Sequence, residues 1–441
     1  MCGTGIDYTS LLDIEECVRF YPPDIQPIDE IDCIFQNQKE SQEIALYFHI
    51  PFCKSPCGFC PFNQYYYDDA QYTQYCSSIE KEIDLLKQKI DFSQKQIKSI
   101  WIGGGTPSDL TEEQLKHFLG IINDQFDIKD ISEFTIEGKP VPGAITESKV
   151  KLLKDYGVTR VSMGVQSTIK KYLNVLGRQY SFEDVIKATS IIRSLGLAVN
   201  ADMIYRIPNE STDDIKIDIE QIVSHDIDHI SLFHYIWHPG TPLTRKYENA
   251  NVMKSYDRDE FFKHFNMTSK ILLDHGYNQY TPYYYTKNKM CMYHVNRWKM
   301  PQIDVLGIGA GAFSTYNDWI YSNAHNLGLY CSQLEKGVLP ISMGKKMTQK
   351  DIYSRLAVLG CKFFLLEDNC FKTITGKRIR EYFGDRISIL ESMGLVYMDE
   401  VGLHCTQRGK AFNNTVAMIL ADEEYRSIGQ PQPLDIRKNG L

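Results

Sequence analysis

Three cysteines whose spacing suits metal binding lie close together near the start of the chain. Cys53, Cys57 and Cys60 occupy the string CKSPCGFC, with three residues between the first two cysteines and two between the last pair. A structural zinc site or a fully ligated iron–sulfur cluster needs a fourth ligand. No fourth cysteine follows at a matching interval, and no partner CxxC pair is present. The spacing therefore favours a [4Fe–4S] cluster with one open iron over three free cysteines in a tight loop.

Predicted strands and helices, which would position this loop, alternate along the chain. Apolar strand candidates lie at residues 44–50, 99–104, 133–138, 160–166, 197–204 and 229–235. Amphipathic stretches of helical length lie near residues 69–90, 111–124, 146–156, 181–195 and 212–225. This alternation predicts an α/β fold with a parallel sheet or partial barrel, whose strands are buried on both faces. In such folds, active sites form at the carboxyl ends of the parallel strands, so the loops that follow the predicted strands are the candidate site.

Composition changes along the chain predict four regions. Residues 1–43 are polar and contain three prolines, which predicts an extension lying on a core. Residues 44–240 carry the alternating pattern of the barrel, and residues 241–345 form a less regular region that completes it. Residues 346–441 turn helical, and the string SILESMGLVYMDEVGLHC predicts a helix leading into a short hairpin. We interpret this last region as a small winged-helix-like domain.

Charge and hydrophobicity exclude several classes of protein. Lys and Arg number 48 against 56 Asp and Glu, and they are dispersed, which argues against a nucleic-acid-binding surface. A hydrophobic fraction of 43% is enough for a sizeable core. No apolar stretch is long enough to span a membrane, and the first residues lack a secretory signal. The expectation is a cytoplasmic protein whose scattered cysteines are reduced.

The cysteine spacing, directly after a predicted strand, resembles the signature of the radical SAM superfamily. The string YFHIPFCKSPCGFCPF resembles the opening of the oxygen-independent coproporphyrinogen III oxidase-like group of that superfamily. The group's further motifs follow in order as GGGTPS at 103–108, GVQS at 164–167 and GIGAGAFS at 307–314. The resemblance covers residues 44 to about 420. It implies a radical SAM partial (β/α)6 TIM barrel, a small C-terminal domain, a [4Fe–4S] cluster and S-adenosylmethionine (SAM).

The resemblance also implies which residues hold these cofactors. Cys53, Cys57 and Cys60 would bind the cluster. The SAM contacts would be Tyr47, Phe59, Gly104, Gly105, Thr106, Glu137, Gln166, Arg178, Asp202, Ile236 and Phe313. Taken singly, a Gln, Arg or Asp of this kind is more often structural, and a glycine run is as often a tight turn. His49 shares a strand face with Tyr47 but is interpreted as a core histidine. No catalytic acid or base is assigned.

Two departures from the group's pattern bear on the activity. Pro61 and Phe62 follow the third cysteine where the oxidases carry a glycine-like residue and another cysteine, which argues against the oxidase. Phe313 stands where the haem chaperones of the group carry a histidine. The resemblance therefore favours a class C methyltransferase, with a haem chaperone or an oxidase-like enzyme as alternatives. Lys139, where the group has asparagine, would place a cation at the cofactor or substrate edge.

The expected methyltransferase chemistry uses two SAM molecules. One would be cleaved at the cluster to a 5′-deoxyadenosyl radical, which takes a hydrogen from the methyl group of the other. The resulting methylene radical would add to a planar tetrapyrrole or another heteroaromatic substrate. The resemblance further implies an electron donor such as flavodoxin or ferredoxin, and a barrel that keeps water and oxygen from the radicals.

Overall fold

Six parallel strands form the centre of a 13-stranded sheet in the computed structural model, which describes residues 20–36, 43–250 and 256–426. These barrel strands are adjacent in chain order and pair in parallel register. From first to sixth they are Glu43–Ile50, Gln96–Gly104, Glu133–Gly138, Arg160–Gln166, Ala198–Tyr205 and His229–His234. Most of their side chains are buried, as expected for strands covered on both faces. The predicted α/β partial barrel is confirmed.

Six helices lie between these strands, and five of them begin at a residue whose side chain caps the helix. They are Asp69–Lys89, Glu112–Gln125, Glu147–Asp155, Phe182–Ser194 and Thr212–Val223, and the uncapped one is Lys170–Val175. Thr111 and Ser181 each form a capping box, in which the side chain satisfies a backbone N–H that the helix itself leaves unpaired. Such signals are local, so the predicted boundaries agree with the observed ones to within a few residues. Within the described ranges, no helix combines the length and apolar character that crossing a bilayer requires.

The region from residue 241 to 345 is more regular than the sequence indicated. Asp304–Ile308 adds a parallel strand beside the first barrel strand, and antiparallel strands continue the sheet outward from it. Those strands are Phe313–Tyr316, Trp319–Asn323 and Ile341–Lys346, and at the opposite end the sheet adds Tyr284–Thr286 and Asn278–Gln279. The helices are Pro242–Asn249, Arg258–Asp274, Met292–Trp298 and Leu327–Glu335. Strands this short, joined by tight turns, show little periodicity in the sequence.

The C-terminal part packs helices around a three-stranded antiparallel sheet. The predicted helix and hairpin are present as Ile379–Ser392, Val396–Met398 and Gly402–Cys405. The remaining strand is Leu365–Glu367, and the helices are Gln349–Gly360, Asp368–Thr375, Gln407–Ala411, Asn413–Leu420 and Glu423–Arg426. Short strands at Gln26–Pro27, Phe52–Cys53 and Tyr65–Tyr66, with 3-10 turns at Ile31–Phe35, Phe92–Gln94, Pro107–Asp109 and Cys361–Phe363, complete the described elements.

A buried glutamate joins the first helix to the glycine-rich turn that follows strand Asp304–Ile308. Glu82 is 2% exposed, and its carboxylate accepts hydrogen bonds from the Gly309 N–H at 2.9 Å and from Asn323 Nδ2 at 2.6 Å. The Tyr330 hydroxyl donates to the same carboxylate. Burial raises the pKa of Glu82 to about 7, while the three donors act in the opposite direction. This carboxylate fixes the turn that leads to Phe313.

We expect Glu82→Gln to lower the free energy of unfolding by about 1–3 kcal/mol at pH 8, where the wild-type carboxylate is charged. The three groups around the carboxylate all donate hydrogen bonds, and the NH₂ group of a glutamine would face one of them. One buried donor would then have no acceptor. Urea unfolding followed by circular dichroism measures the change. Glu80→Gln is the control, because Glu80 lies on the same helix, is half-exposed and has only a 3.9 Å contact with His117. Equal stability of the two variants would contradict the structural role of Glu82.

Candidate functional site

One cavity of about 500 Å³ opens at the carboxyl ends of the barrel strands. Its lining includes the three cysteines and every residue predicted to contact SAM: Tyr47, Cys53, Cys57, Phe59, Cys60, Gly104, Gly105, Thr106, Glu137, Gln166, Arg178, Asp202, Ile236 and Phe313. These side chains come from six barrel strands, the loops after them and the strand that begins at Phe313. The fold thus brings all of the sequence-predicted residues to one place.

The cysteine loop is held by the glycine-rich segment that follows the second barrel strand. The Gly105 N–H donates to the Ile50 carbonyl at 2.7 Å, and the Thr106 N–H donates to the Phe52 carbonyl at 2.8 Å. The Thr106 hydroxyl lies 3.3 Å from the Cys53 thiol. The glycine-rich segment therefore fixes the start of the cysteine loop through two backbone bonds and one side-chain contact.

The glycines at 104 and 105 are required by close packing against the chain itself. A Cβ at Gly104, where φ is +112°, would lie 2.6 Å from the His49 ring. A Cβ at Gly105 would lie 2.4 Å from the Phe52 carbonyl oxygen. The sequence predicted that these glycines let backbone approach a ligand, and the structure shows that the approach is to His49 and the cysteine loop.

Burial favours the neutral thiol at Cys53 and Cys60. Cys53 and Cys57 are buried and Cys60 is partly buried. Burial raises the pKa of Cys60 to about 12, and it raises the pKa of Cys53. A bound cluster requires thiolates and supplies the positive iron charge that makes buried thiolates favourable. In the described part of the chain, no three His, Cys, Asp or Glu side chains lie close enough together to bind a single metal ion. A [4Fe–4S] cluster does not require this, because each thiolate binds a different iron atom.

Two carboxylates of the cavity wall are fixed by the protein. Glu137 accepts from Trp101 Nε1 at 2.8 Å and from the Gly104 N–H at 3.1 Å. Asp202 accepts from the Ser162 hydroxyl at 3.0 Å and from Asn200 Nδ2 at 2.8 Å. Burial raises the pKa of Asp202. Both groups are therefore positioned before any ligand binds.

Arg178 is a buried cation whose polar atoms lack protein partners. It is 9% exposed, and its Nε and Nη1 make no hydrogen bond to the described residues. The guanidinium lies over the Phe59 ring at 5.5 Å and over the Tyr180 ring at 5.9 Å. Because unpaired buried donors are costly, this group is suited to an anionic ligand in the cavity, such as the carboxylate of an amino-acid moiety.

Lys139 is buried and lines the cavity beside the cysteine loop. It is 7% exposed, and its Nζ donates to the Ser55 carbonyl in the cysteine loop at 2.7 Å. Tertiary packing explains this contact, because the end of the third barrel strand lies beside the cysteine loop. The lysine therefore acts on the cysteine loop.

The sequence left open whether the tyrosine run at 283–285 lines a pocket, and it did not identify Phe20, His294 or Trp298 as rings of the aromatic lining. Tyr284, His294 and Trp298 line the cavity as a stack of three rings. The His294 ring lies 4.5 Å from the Tyr284 ring at an interplanar angle of 14°, and 5.0 Å from the Trp298 ring at 19°. Phe20, from the N-terminal extension, stacks on Phe313 at 4.4 Å. The Tyr283–Tyr285 run and the string HVNRW were visible, but neither shows which rings face inward.

Two further residues of the lining belong to the barrel strands. His49 is buried and hydrogen-bonded within the protein, as the interpretation of a core histidine requires, and it also lines the cavity. Its Nδ1 lies 2.9 Å from the Tyr47 hydroxyl, and burial lowers its pKa to about 4. Trp101 also lines the cavity and was not predicted. The alternation that placed Tyr47 inside could have identified His49, two residues further along the same strand face.

Fold and site together define a partial-barrel protein with a three-cysteine loop at the mouth of its cavity. The family model described as the radical SAM superfamily matches residues 47–222. A haem chaperone named HemW from Bacillus subtilis is 27% identical over 376 residues, covering 84% of this chain and 97% of that protein. The HemW of Buchnera aphidicola is 30% identical over 275 residues, covering 61% of this chain and 69% of that protein.

A solved structure shares the whole architecture. The coproporphyrinogen III oxidase HemN of Escherichia coli superimposes with a TM-score of 0.79 over 90% of this chain and 94% of that chain, at 22% identity. The chain described here belongs to the radical SAM superfamily, in its group of HemN-like and HemW-like proteins. Membership implies a [4Fe–4S] cluster and SAM, and the buried thiols and the unpaired guanidinium of Arg178 suit both.

We expect Cys53→Ala, Cys57→Ala and Cys60→Ala each to abolish cluster assembly after anaerobic reconstitution. The wild type should bind about four iron atoms and four sulfides, because three thiolates hold a site-differentiated cubane. Iron and sulfide analysis with electron paramagnetic resonance (EPR) measures this. Cys76→Ala is the control, since Cys76 is buried in the first helix and does not line the cavity. Full iron content in Cys57→Ala would refute the assignment.

Proposed function

We propose that this protein binds haem beside SAM in the cavity and delivers the haem to a client protein. The observation that carries the proposal is the aromatic wall formed by Tyr284, His294 and Trp298, with the Phe20–Phe313 stack as a second aromatic pair. Flat rings offer large apolar contact to a planar macrocycle. The relatives named haem chaperones support the same function.

The polar side of the cavity supports SAM binding. Cys53, Cys57 and Cys60 would hold the cluster, which when bound supplies the electron that cleaves SAM, drawn from a donor such as flavodoxin or ferredoxin. Arg178 is placed to bind the SAM carboxylate, because its Nε and Nη1 are unpaired. Asp202 would accept hydrogen bonds from the ribose hydroxyls.

The other predicted contacts surround these groups in the proposed complex. Phe59 would cover the adenine, and its ring is already backed by Arg178. Glu137 and the segment from Gly104 to Thr106 would face the methionine part of SAM. Tyr47, Gln166, Ile236 and Phe313 complete the lining. These side chains orient the cofactor and exclude water from it, which strengthens each polar contact.

The methyltransferase expected from the sequence is the second candidate. In the sequence, Phe313 stands in place of the histidine that chaperones carry, which argued against a chaperone. In the structure this ring stacks on Phe20, so it can contact a macrocycle as part of an aromatic wall without acting as a metal ligand. The relatives reported above are named as chaperones and an oxidase, which favours haem handling over methyl transfer. The use of two SAM molecules belongs to the methyltransferase alternative.

We expect the anaerobically reconstituted protein, given haem and methyl-deuterated SAM, to release haem of unchanged mass and to transfer it to an apo-haem protein. Absorption spectra follow the transfer, and mass spectrometry measures haem and 5′-deoxyadenosine. A methyltransferase would instead move deuterium into 5′-deoxyadenosine and increase the mass of the tetrapyrrole. That result would replace haem transfer by methyl transfer as the function.

Phe313→Ala should weaken haem binding about two- to tenfold, because an aromatic contact contributes about 0.5–1.5 kcal/mol beyond its buried area. Titration followed at the Soret band measures the dissociation constant. The matched control is Tyr397→Ala, which removes a half-exposed ring on the C-terminal hairpin, outside the cavity. Equal haem affinity in the wild type and both variants would place the haem elsewhere.

Arg178→Met should leave the iron content intact and weaken SAM binding about ten- to a hundredfold. Loss of a charged hydrogen-bond partner costs about 1.5–3 kcal/mol. Isothermal titration of the reconstituted protein measures SAM affinity. Arg380→Met is the control, because Arg380 pairs with Glu391 on an exposed C-terminal helix. Unchanged SAM affinity in Arg178→Met would show that Arg178 serves the fold alone.

A further inference from the structure

A buried lysine reaches from the barrel into the middle of the cysteine loop. Lys139 directly follows the third barrel strand, is 7% exposed and lines the cavity. Its Nζ donates to the carbonyl of Ser55, which lies between Cys53 and Cys57. The ammonium group is therefore held beside the part of the loop that carries two of the three thiols.

Neighbouring bonds fix this lysine in place. The Lys139 N–H donates to the Ser108 hydroxyl at 3.0 Å. The Ser108 carbonyl in turn accepts from Lys149 Nζ at 3.0 Å. On the same loop, Asp109 accepts from the N–H of Lys54 at 3.0 Å. An anion and a cation thus hold the backbone of two adjacent loop residues, Lys54 and Ser55, and Arg178 lines the same cavity over Phe59.

We propose that the charge of Lys139 raises the midpoint potential of the cluster held by Cys53, Cys57 and Cys60. Reduction adds one electron and so one negative charge to the cluster, and a nearby cation stabilises the reduced form. The interaction is strong because the ammonium is buried and poorly screened. Lys139 is a positioning and tuning residue, since its bonds are to the loop.

The geometry places this charge at the proposed cluster site. The Lys139 ammonium is buried, lines the same cavity as the three thiols and is bound to a carbonyl between two of them. The inference needs a bound cluster and is independent of haem transfer.

EPR-monitored redox titration with dithionite, on the full-length protein reconstituted anaerobically without haem, tests the proposal. Lys139→Met removes both the charge and the bond to Ser55, whereas Lys139→Gln removes the charge and keeps a donor. Lys139→Arg keeps the charge. At a fixed potential, we expect the ratio of reduced to oxidised cluster to fall about tenfold in the Met and Gln variants. For a one-electron couple, this corresponds to a midpoint potential about 59 mV lower.

The charge-preserving variant and a lysine outside the cavity complete the test. Lys139→Arg should stay near the wild-type potential, and so should Lys270→Met, because Lys270 is exposed on helix Arg258–Asp274 and does not line the cavity. An unchanged potential in Lys139→Met, or a wild-type potential in Lys139→Gln, would overturn the proposal. Midpoint potential does not depend on how many molecules carry a cluster. If Lys139→Met binds no cluster, the Lys139→Gln and Lys139→Arg variants decide the test. Equal midpoint potentials in these two variants would overturn the proposal, and a lower midpoint potential in Lys139→Gln would support it.

Discussion

The site depends on the close contact between the cysteine loop and the end of the second barrel strand. Two backbone bonds, from Gly105 to Ile50 and from Thr106 to Phe52, join these segments. The contact is possible only because positions 104 and 105 lack side chains, since a Cβ at either would overlap its neighbours. A parallel sheet supplies this geometry, because its strand ends meet at one edge. The place of the three thiols in the molecule follows from that packing.

Around this contact the cavity lining contains two chemically different sets of residues. The strand ends supply fixed polar groups, with Glu137 and Asp202 held by protein donors, while Nε and Nη1 of Arg178 have no partner among the described residues. The aromatic lining comes largely from the region beyond residue 241. Polar groups fixed before binding orient a charged ligand without the cost of ordering them, and aromatic rings offer apolar contact to a planar molecule. In the proposed complex, the polar set would bind SAM and the aromatic set would contact the macrocycle.

The structure changes the meaning of several residues that the sequence had already identified. Lys139 was visible as a departure from the family pattern, but its partner, the Ser55 carbonyl, became visible only in the fold. Phe313 stood out as a missing histidine, and the structure shows it stacked on Phe20. The departures from the group's pattern favoured methyl transfer, whereas the named relatives favour haem handling. Residue identity alone does not specify which neighbour a side chain meets.

The sequence by itself determined the α/β order and the positions of the strand ends, and it predicted the cluster ligands. Cys53, Cys57 and Cys60 are close in the chain, and strand and helix periods are local, so both can be inferred without a fold. Only the tertiary structure decided which rings and charges surround the cavity. Phe20 and Trp298 reach it from distant segments, and the short strands after residue 303 carry little periodic signal. Contacts between distant segments depend on how whole elements pack, which no local pattern encodes.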